Sequence, residues 1–197
     1  MNILIDLLPN EVNIEGEDYK INSDFRTSIL FELLMQDNAI SEEDKIIQTL
    51  ELYYPKLPKD INKAIEGILW FYRCGKDEVK NKNKGTGKST NVYSYEYDDD
   101  LIYSAFLDQY NIDLQDIEYL HWWKFKAMFK SLKEDNEIVK IMGYRAMDVN
   151  KIKDKEQKAH YKKMQDLHKI PTSKDEVEKL DEINQILLNC GDVSKVL

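Results

Sequence analysis

The chain has 197 residues, of which 42% are hydrophobic and 33% are charged, so it is long enough and apolar enough to fold around a full core. Its net charge of -9 argues against a general nucleic-acid binder, and no apolar run is long enough to span a bilayer. The N-terminus, MNILIDLLPN, lacks the basic flank and cleavage site of a signal peptide. The two cysteines, Cys74 and Cys190, are far apart in sequence, which is typical of reduced thiols in a cytoplasm.

The first third of the chain predicts a β-hairpin followed by three helices. Residues 11–22 place apolar side chains at alternate positions on both sides of a turn-like stretch, Glu15-Gly16-Glu17-Asp18, which is the pattern of a hairpin. Asp24 is expected to cap a helix that runs to Gln36. A second helix starts at Ser41 and is ended by Pro55, and a third starts after Asp60 and is closed by Gly75.

The remainder predicts a flexible loop and more helices. Residues 76–92 are polar, rich in lysine and almost without apolar anchors, so we expect a mobile surface loop. Further helices are expected after Asp98-Asp99-Asp100 and from about Asn150 to His168. Between them, residues 136–147 are a short apolar element that Gly143 is expected to interrupt. The second of these helices carries seven lysines against three acids between Lys151 and Lys169. Ser173 with Glu176 predicts a capping box for a final helix.

The stretch Asp113–Lys133, DLQDIEYLHWWKFKAMFKSLK, is predicted to be one long amphipathic helix on which the core is built. Asp113 is its expected cap, and His121 falls on its apolar face. That face is formed by Leu114, Ile117, Phe125, Met128, Phe129 and Leu132, with Trp122 at its edge. A second flank, which we predict to bind a partner protein, carries Tyr119, Trp123, Lys126 and Lys130. The alternative is that another helix of the same domain packs on Trp123.

No motif in the sequence predicts catalysis, a cofactor or a metal site. Gly85 to Ser89 resembles part of a phosphate-binding loop, but Lys82 stands where that loop needs its first glycine, and no buried strand precedes it. The three adjacent aspartates at 98–100 lack the alternate spacing of a calcium loop and fit a helix N-terminus better. His160 and His168 lie eight residues apart, not the four of a helical zinc pair.

The predicted fold is therefore mainly α, a helical domain with one small N-terminal β-hairpin. We place this domain at 1–148 and a candidate oligomerisation arm, the lysine-rich helix and the C-terminal helix, at 149–197. The expected self-association surface is the apolar stripe of the last helix, formed by Val177, Leu180, Ile183 and Leu187.

Five stretches together resemble a known family, the "gene product fifteen" family of tailed phages and prophages of Gram-positive bacteria. They are LLPNEVNIEGEDYKINSDFR, GILWFYRCGK, DDDLIYSAFLDQYNIDL, IEYLHWWKFKAMFKSL and IVKIMGYRAMDVNKIKDKEQKAHYKKM. The resemblance runs from about Leu8 to about Leu167 and is most specific at HWWKF and KIMGYR.

Members of that family lie in the tail gene cluster, between the major tail protein and the tape measure. The resemblance therefore implies a non-enzymatic tail assembly chaperone that binds the tape-measure protein and assists tail-tube assembly around it. It implies a location in the host bacterial cytoplasm during phage assembly and absence from the mature virion. The last helix predicts a homo-oligomer, and no cofactor, nucleic-acid or membrane partner is expected from the sequence. Two other functions stay open: a structural component of the phage tail or virion, and a nucleotide-binding protein that uses the Gly85–Ser89 loop.

Overall fold

The computed structural model describes residues 2–76 and 92–171, and in these the fold is mainly α, as the sequence predicts. The chain divides into two compact units. The described part of the first consists of residues 2–76 and 98–140, and that of the second of residues 92–97 and 141–171. The predicted division after residue 148 stays a prediction. No helix in these described ranges is both long and apolar enough to cross a membrane.

The first unit begins with the predicted hairpin, β1 (Glu11–Ile14) paired antiparallel with β2 (Glu17–Lys20). Its two-residue loop, Glu15-Gly16, has φ of 53° and 87°. Positive φ at both loop positions is what the right-handed twist of a tight hairpin requires, and glycine meets that requirement without strain. Alternate side chains of the hairpin, including Val12 and Ile14, are buried.

Three helices follow within the predicted limits: α1 (Phe25–Gln36), α2 (Glu42–Tyr53) and α3 (Ile61–Tyr72). Each starts where a polar side chain caps it: the side chains of Asp24, Ser41 and Asp60 accept hydrogen bonds from first-turn amides. α1 packs on α2, and α3 packs on β1. Gly67 of α3 allows this approach, because a Cβ there would lie 2.9 Å from the Tyr54 hydroxyl and 3.4 Å from a Val12 methyl.

α4 (Asp99–Tyr110) and α5 (Trp122–Lys130) complete the core of this unit. Phe125 of α5 lies at its centre, stacked between Phe25 of α1 at 4.9 Å and Phe106 of α4 at 4.8 Å between ring centroids. The chain continues into α6 (Glu137–Ala146), which runs through Gly143, so the predicted interruption there is wrong. Phe125 and Phe129 of α5 are buried, as predicted, but the predicted length of that helix is wrong.

Residues 113–121 are not helical, although Asp113 does cap a turn there by accepting from the amides of Gln115 and Asp116. The reason is a set of hydrogen bonds from the start of α1. The Arg26 guanidinium donates to the carbonyls of Leu114 and Ile117, at 2.8 Å each. The amide of Leu120 donates to Asp24, and its carbonyl accepts from the Phe25 amide. These contacts satisfy the backbone groups that a continuous helix would have paired with one another.

The second unit contains a 3₁₀ turn (Val149–Lys151) and α7 (Lys155–Leu167). The predicted lysine-rich helix thus starts later than expected, because Asp154 accepts from the Gln157 amide and forms the cap. Gln165 holds α7 by donating to the Tyr144 carbonyl at 2.9 Å. The lysine side chains of α7 are exposed, as a solvated face would be.

Candidate partner-binding groove

α5 is fixed to α3 by its two adjacent tryptophans. The indole nitrogen of Trp122 donates to the Tyr72 carbonyl at 2.9 Å, and that of Trp123 donates to the Phe71 carbonyl at 2.7 Å. Both carbonyls lie in the last turn of α3, where no further helical amide follows to pair with them. The two indoles therefore act as a cap for α3 while they bury their rings.

His121 caps the start of α5, a role that the sequence did not predict. It is 4% exposed; its Nδ1 accepts from the Trp123 amide at 3.0 Å, and its Nε2 lies 3.0 Å from the Pro9 carbonyl. Only the neutral tautomer with its proton on Nε2 makes both bonds, since a carbonyl needs a donor and an amide needs an acceptor. Burial lowers the pKa of His121 below its ordinary value. The hydrogen bond to the Pro9 carbonyl raises this pKa in part, and the charge of Lys124 lowers it.

The predicted partner flank is corrected by the structure in one important respect. Trp123 is 4% exposed, because it packs edge-on against Trp70 at 5.6 Å and against Gly75, where a Cβ would approach its ring to 2.8 Å. Tyr119 precedes α5 and is 52% exposed, with its hydroxyl 2.8 Å from that of Ser23. The two aromatics are therefore not neighbours on one helical flank, and Trp123 belongs to the core.

Three of the four predicted residues nevertheless line one open groove. Trp123, Lys126 and Lys130 lie along it on α5, and the end of α3 with residues 73–76 forms its other side. The groove has a volume of about 660 Å³, which is in the range of protein binding clefts. Tyr119 does not line it. The cation at Lys126 also lies 5.0 Å from the centroid of the Trp122 ring, a cation–π contact.

The groove is basic. Arg73 and Lys76 add two cations to those of Lys126 and Lys130, and none of the described residues that line it is acidic. This local surface has the opposite sign to the whole chain, whose net charge is -9. A positive cleft on a negative protein attracts anionic groups selectively to that place.

Cys74 also lines the groove, with φ of 57°. Burial raises the pKa of its thiol, and the nearby charges of Lys126 and Lys76 offset only part of that effect. The thiol is therefore protonated at neutral pH, whereas nucleophilic cysteines have a lowered pKa. Within residues 2–76 and 92–171, no three His, Cys, Asp or Glu side chains come together as metal ligands.

Several predicted features lie elsewhere. The Asp98–Asp100 run is at a helix N-terminus, as expected, with Asp98 buried at the cap position of α4. The Gly85–Ser89 loop lies outside the described residues, and so do Val177, Leu180, Ile183 and Leu187 of the predicted self-association surface.

The family model described as bacteriophage Gp15 protein matches residues 4–170, which is most of the chain. The chain belongs to the bacteriophage Gp15 family. This match confirms the resemblance to that family, and Trp123 of the HWWKF stretch lines the groove beside α5. No curated protein and no solved structure matches the chain. Membership in this family identifies the chain as a phage protein.

Proposed function

We propose that this Gp15-family protein is a non-enzymatic tail assembly chaperone, which binds the tape-measure protein in the host cytoplasm and assists the assembly of tail-tube subunits around it. The chain belongs to a phage family, which supports the proposal. The resemblance to that family also implies a gene in the tail cluster, beside the gene for the tape measure. The observation that carries the proposal is the open, basic groove beside α5, with a volume of about 660 Å³.

The groove favours binding a chain segment over covalent chemistry. Its cysteine has a raised pKa, so a thiolate nucleophile is not available at neutral pH. Its walls are a helix and a helix end joined by two indole hydrogen bonds, which makes them a rigid receptor. Grooves between helices commonly receive an amphipathic helix, and a tape measure is a long helical protein.

The first test is co-expression of the tape-measure protein from the same phage, with and without this chain. We expect the tape measure to stay in the soluble fraction and to co-purify only when the chain is present. An equal soluble fraction in both cultures, with no co-purification, would show that the chain is not its chaperone. Mass spectrometry of purified particles provides the second readout: stoichiometric copies of the chain in mature tails would favour a structural virion component instead.

A further inference from the structure

The four cations of the groove are arranged on two facing sides. Lys126 and Lys130 are four residues apart on α5, so they project from the same helical face. Arg73 and Lys76 follow the last turn of α3 on the opposite side. Lys76 and Lys130 are exposed, and the side chain of Lys126 is partly so. A ligand in the groove would therefore be bordered by positive charge on both sides.

The floor and one end of the groove are apolar. Phe129 is 7% exposed, Trp123 is 4% exposed, and Ile3 at the rim is 44% exposed. Ile3 belongs to a hydrogen-bonded turn, in which the Asp6 amide donates to the Asn2 carbonyl at 2.9 Å. The side chains of Leu4 and Ile5 in that turn, and of Leu7 just after it, are mostly exposed.

These features select among anionic ligands. Nucleic acid bound without pairing needs open aromatic faces for its bases to stack on, and the rings of Trp123 and Phe129 are covered. An acidic amphipathic helix needs cations for its carboxylates and an aliphatic surface for its apolar stripe. In the groove, Lys76 and Lys130 supply exposed cations and Ile3 supplies an exposed aliphatic side chain. The net charge of -9 on the whole chain repels such a helix from other surfaces and leaves the groove as the favoured place.

We propose that the groove beside α5 binds an acidic amphipathic helical segment of a partner protein. Its carboxylates pair with the exposed cations of Lys76 and Lys130, and its apolar side chains pack on Ile3. The assignment of that segment to the tape-measure protein rests on the proposed function. The inference that the groove binds an acidic helix does not depend on that function.

The probe is a fluorescein-labelled amphipathic helical peptide with leucines on one face and glutamates on the other, compared with the same peptide carrying lysines in place of glutamates. Fluorescence anisotropy at two salt concentrations measures both Kd values. We expect the glutamate peptide to bind and to weaken with salt, while the lysine peptide does not bind. Equal affinities for the two peptides, or tighter binding of a single-stranded oligouridine probe to the same groove, would overturn the proposal.

Paired charge reversals test the location. Lys76→Glu with Lys130→Glu inverts the charge on both sides of the groove, and we expect Kd for the glutamate peptide to rise about tenfold or more. The matched control, Lys20→Glu with Lys124→Glu, makes the same change in net charge at exposed positions that do not line the groove. Ile3→Ser removes the apolar rim and should weaken binding without changing its salt dependence. Equal losses in the groove and control variants would show a general charge effect and refute the site.

The same variants separate this inference from the proposed function. If wild-type protein keeps the tape measure soluble and the groove variant does so equally well, the groove is not the binding site although the chaperone role stands. If the glutamate peptide binds at the groove but wild-type protein does not retain the tape measure, the receptor stands and the assigned partner is wrong. Thermal unfolding followed by circular dichroism verifies that each variant is folded.

Discussion

Truncation of Trp123 is the perturbation that best distinguishes a core residue from an exposed partner contact. Trp123→Ala removes an almost fully buried indole that donates to the Phe71 carbonyl and packs against Trp70. Truncation of a buried Trp to Ala typically costs about 3–5 kcal/mol in the free energy of unfolding. The Phe71 carbonyl keeps a second donor, the Cys74 amide at 2.9 Å, so loss of the indole leaves no orphaned acceptor.

We therefore expect a loss of about 4 kcal/mol, which corresponds to a fall in Tm of roughly 8–16 °C for a chain of this size. Trp123→Phe keeps a ring but not the N–H donor, and should cost about 1–2 kcal/mol. Urea unfolding followed by far-ultraviolet circular dichroism measures both values, because tryptophan fluorescence would change with the substitution itself. Tyr119→Ala is the matched aromatic control; its half-exposed ring makes one side-chain hydrogen bond, to Ser23, so we expect a loss near 1 kcal/mol.

A loss below about 1 kcal/mol for Trp123→Ala, with unchanged m-value, would refute the buried position of this side chain. It would also revive the prediction that Trp123 is exposed for a partner. If stability falls as expected, any effect of Trp123 variants on partner binding must be interpreted through the fold, and the lysines of the groove become the residues of choice for binding experiments.

Two further predictions concern the entry to α5. Arg26→Met keeps the aliphatic stem but removes both hydrogen bonds to the carbonyls of Leu114 and Ile117. We expect the free energy of unfolding to fall by about 2–3 kcal/mol and amide hydrogen exchange across residues 113–120 to become faster. Unchanged exchange in these residues would contradict the role of Arg26. His121 has a pKa in the folded protein below its ordinary value of 6.5, so the unfolded chain takes up the proton first. The contribution of His121 to the free energy of unfolding should be fully present above about pH 6.5 and be lost as the pH falls towards the folded pKa. His121→Asn retains a capping side chain, so this variant should show a smaller loss of stability in urea titrations from pH 7.5 to 5. An identical pH dependence in that variant would assign the decline to other groups.

Local chemistry explains most of what could be predicted about the elements. The positive φ angles of Glu15 and Gly16, and the caps at Asp24, Ser41 and Asp60, involve residues no more than three positions apart. Such interactions are present in the sequence itself, so hairpin and helix starts follow from it. The burial of Phe125 and Phe129 also follows from helical periodicity.

The candidate site was predicted in part for the same reason. Lys126 and Lys130 share a face because both lie within α5, and four residues in a helix always bring two side chains together. The sequence did not indicate that Arg73 and Lys76 lie in the same groove as these two lysines, because that depends on how the end of α3 packs against α5. No sequence signal joins these two regions except the pair of tryptophans, whose indoles need buried acceptors somewhere in the fold.

The start of α5 and the burial of Trp123 were decided only by tertiary structure. Periodicity continued unbroken from Asp113 to Lys133, yet Arg26, about 90 positions earlier in the chain, holds the carbonyls that a helix would have used. Tyr119 and Trp123 are thereby separated. Trp123 packs against the end of α3, where the Phe71 carbonyl accepts its indole N–H and Gly75, at φ of 66°, leaves room for its ring. The sequence by itself determined which side chains are apolar or charged and where most of the helices begin. The folded chain decided which of them meet, because hydrogen bonds between distant segments outweigh the weak local preference of a few residues for helix.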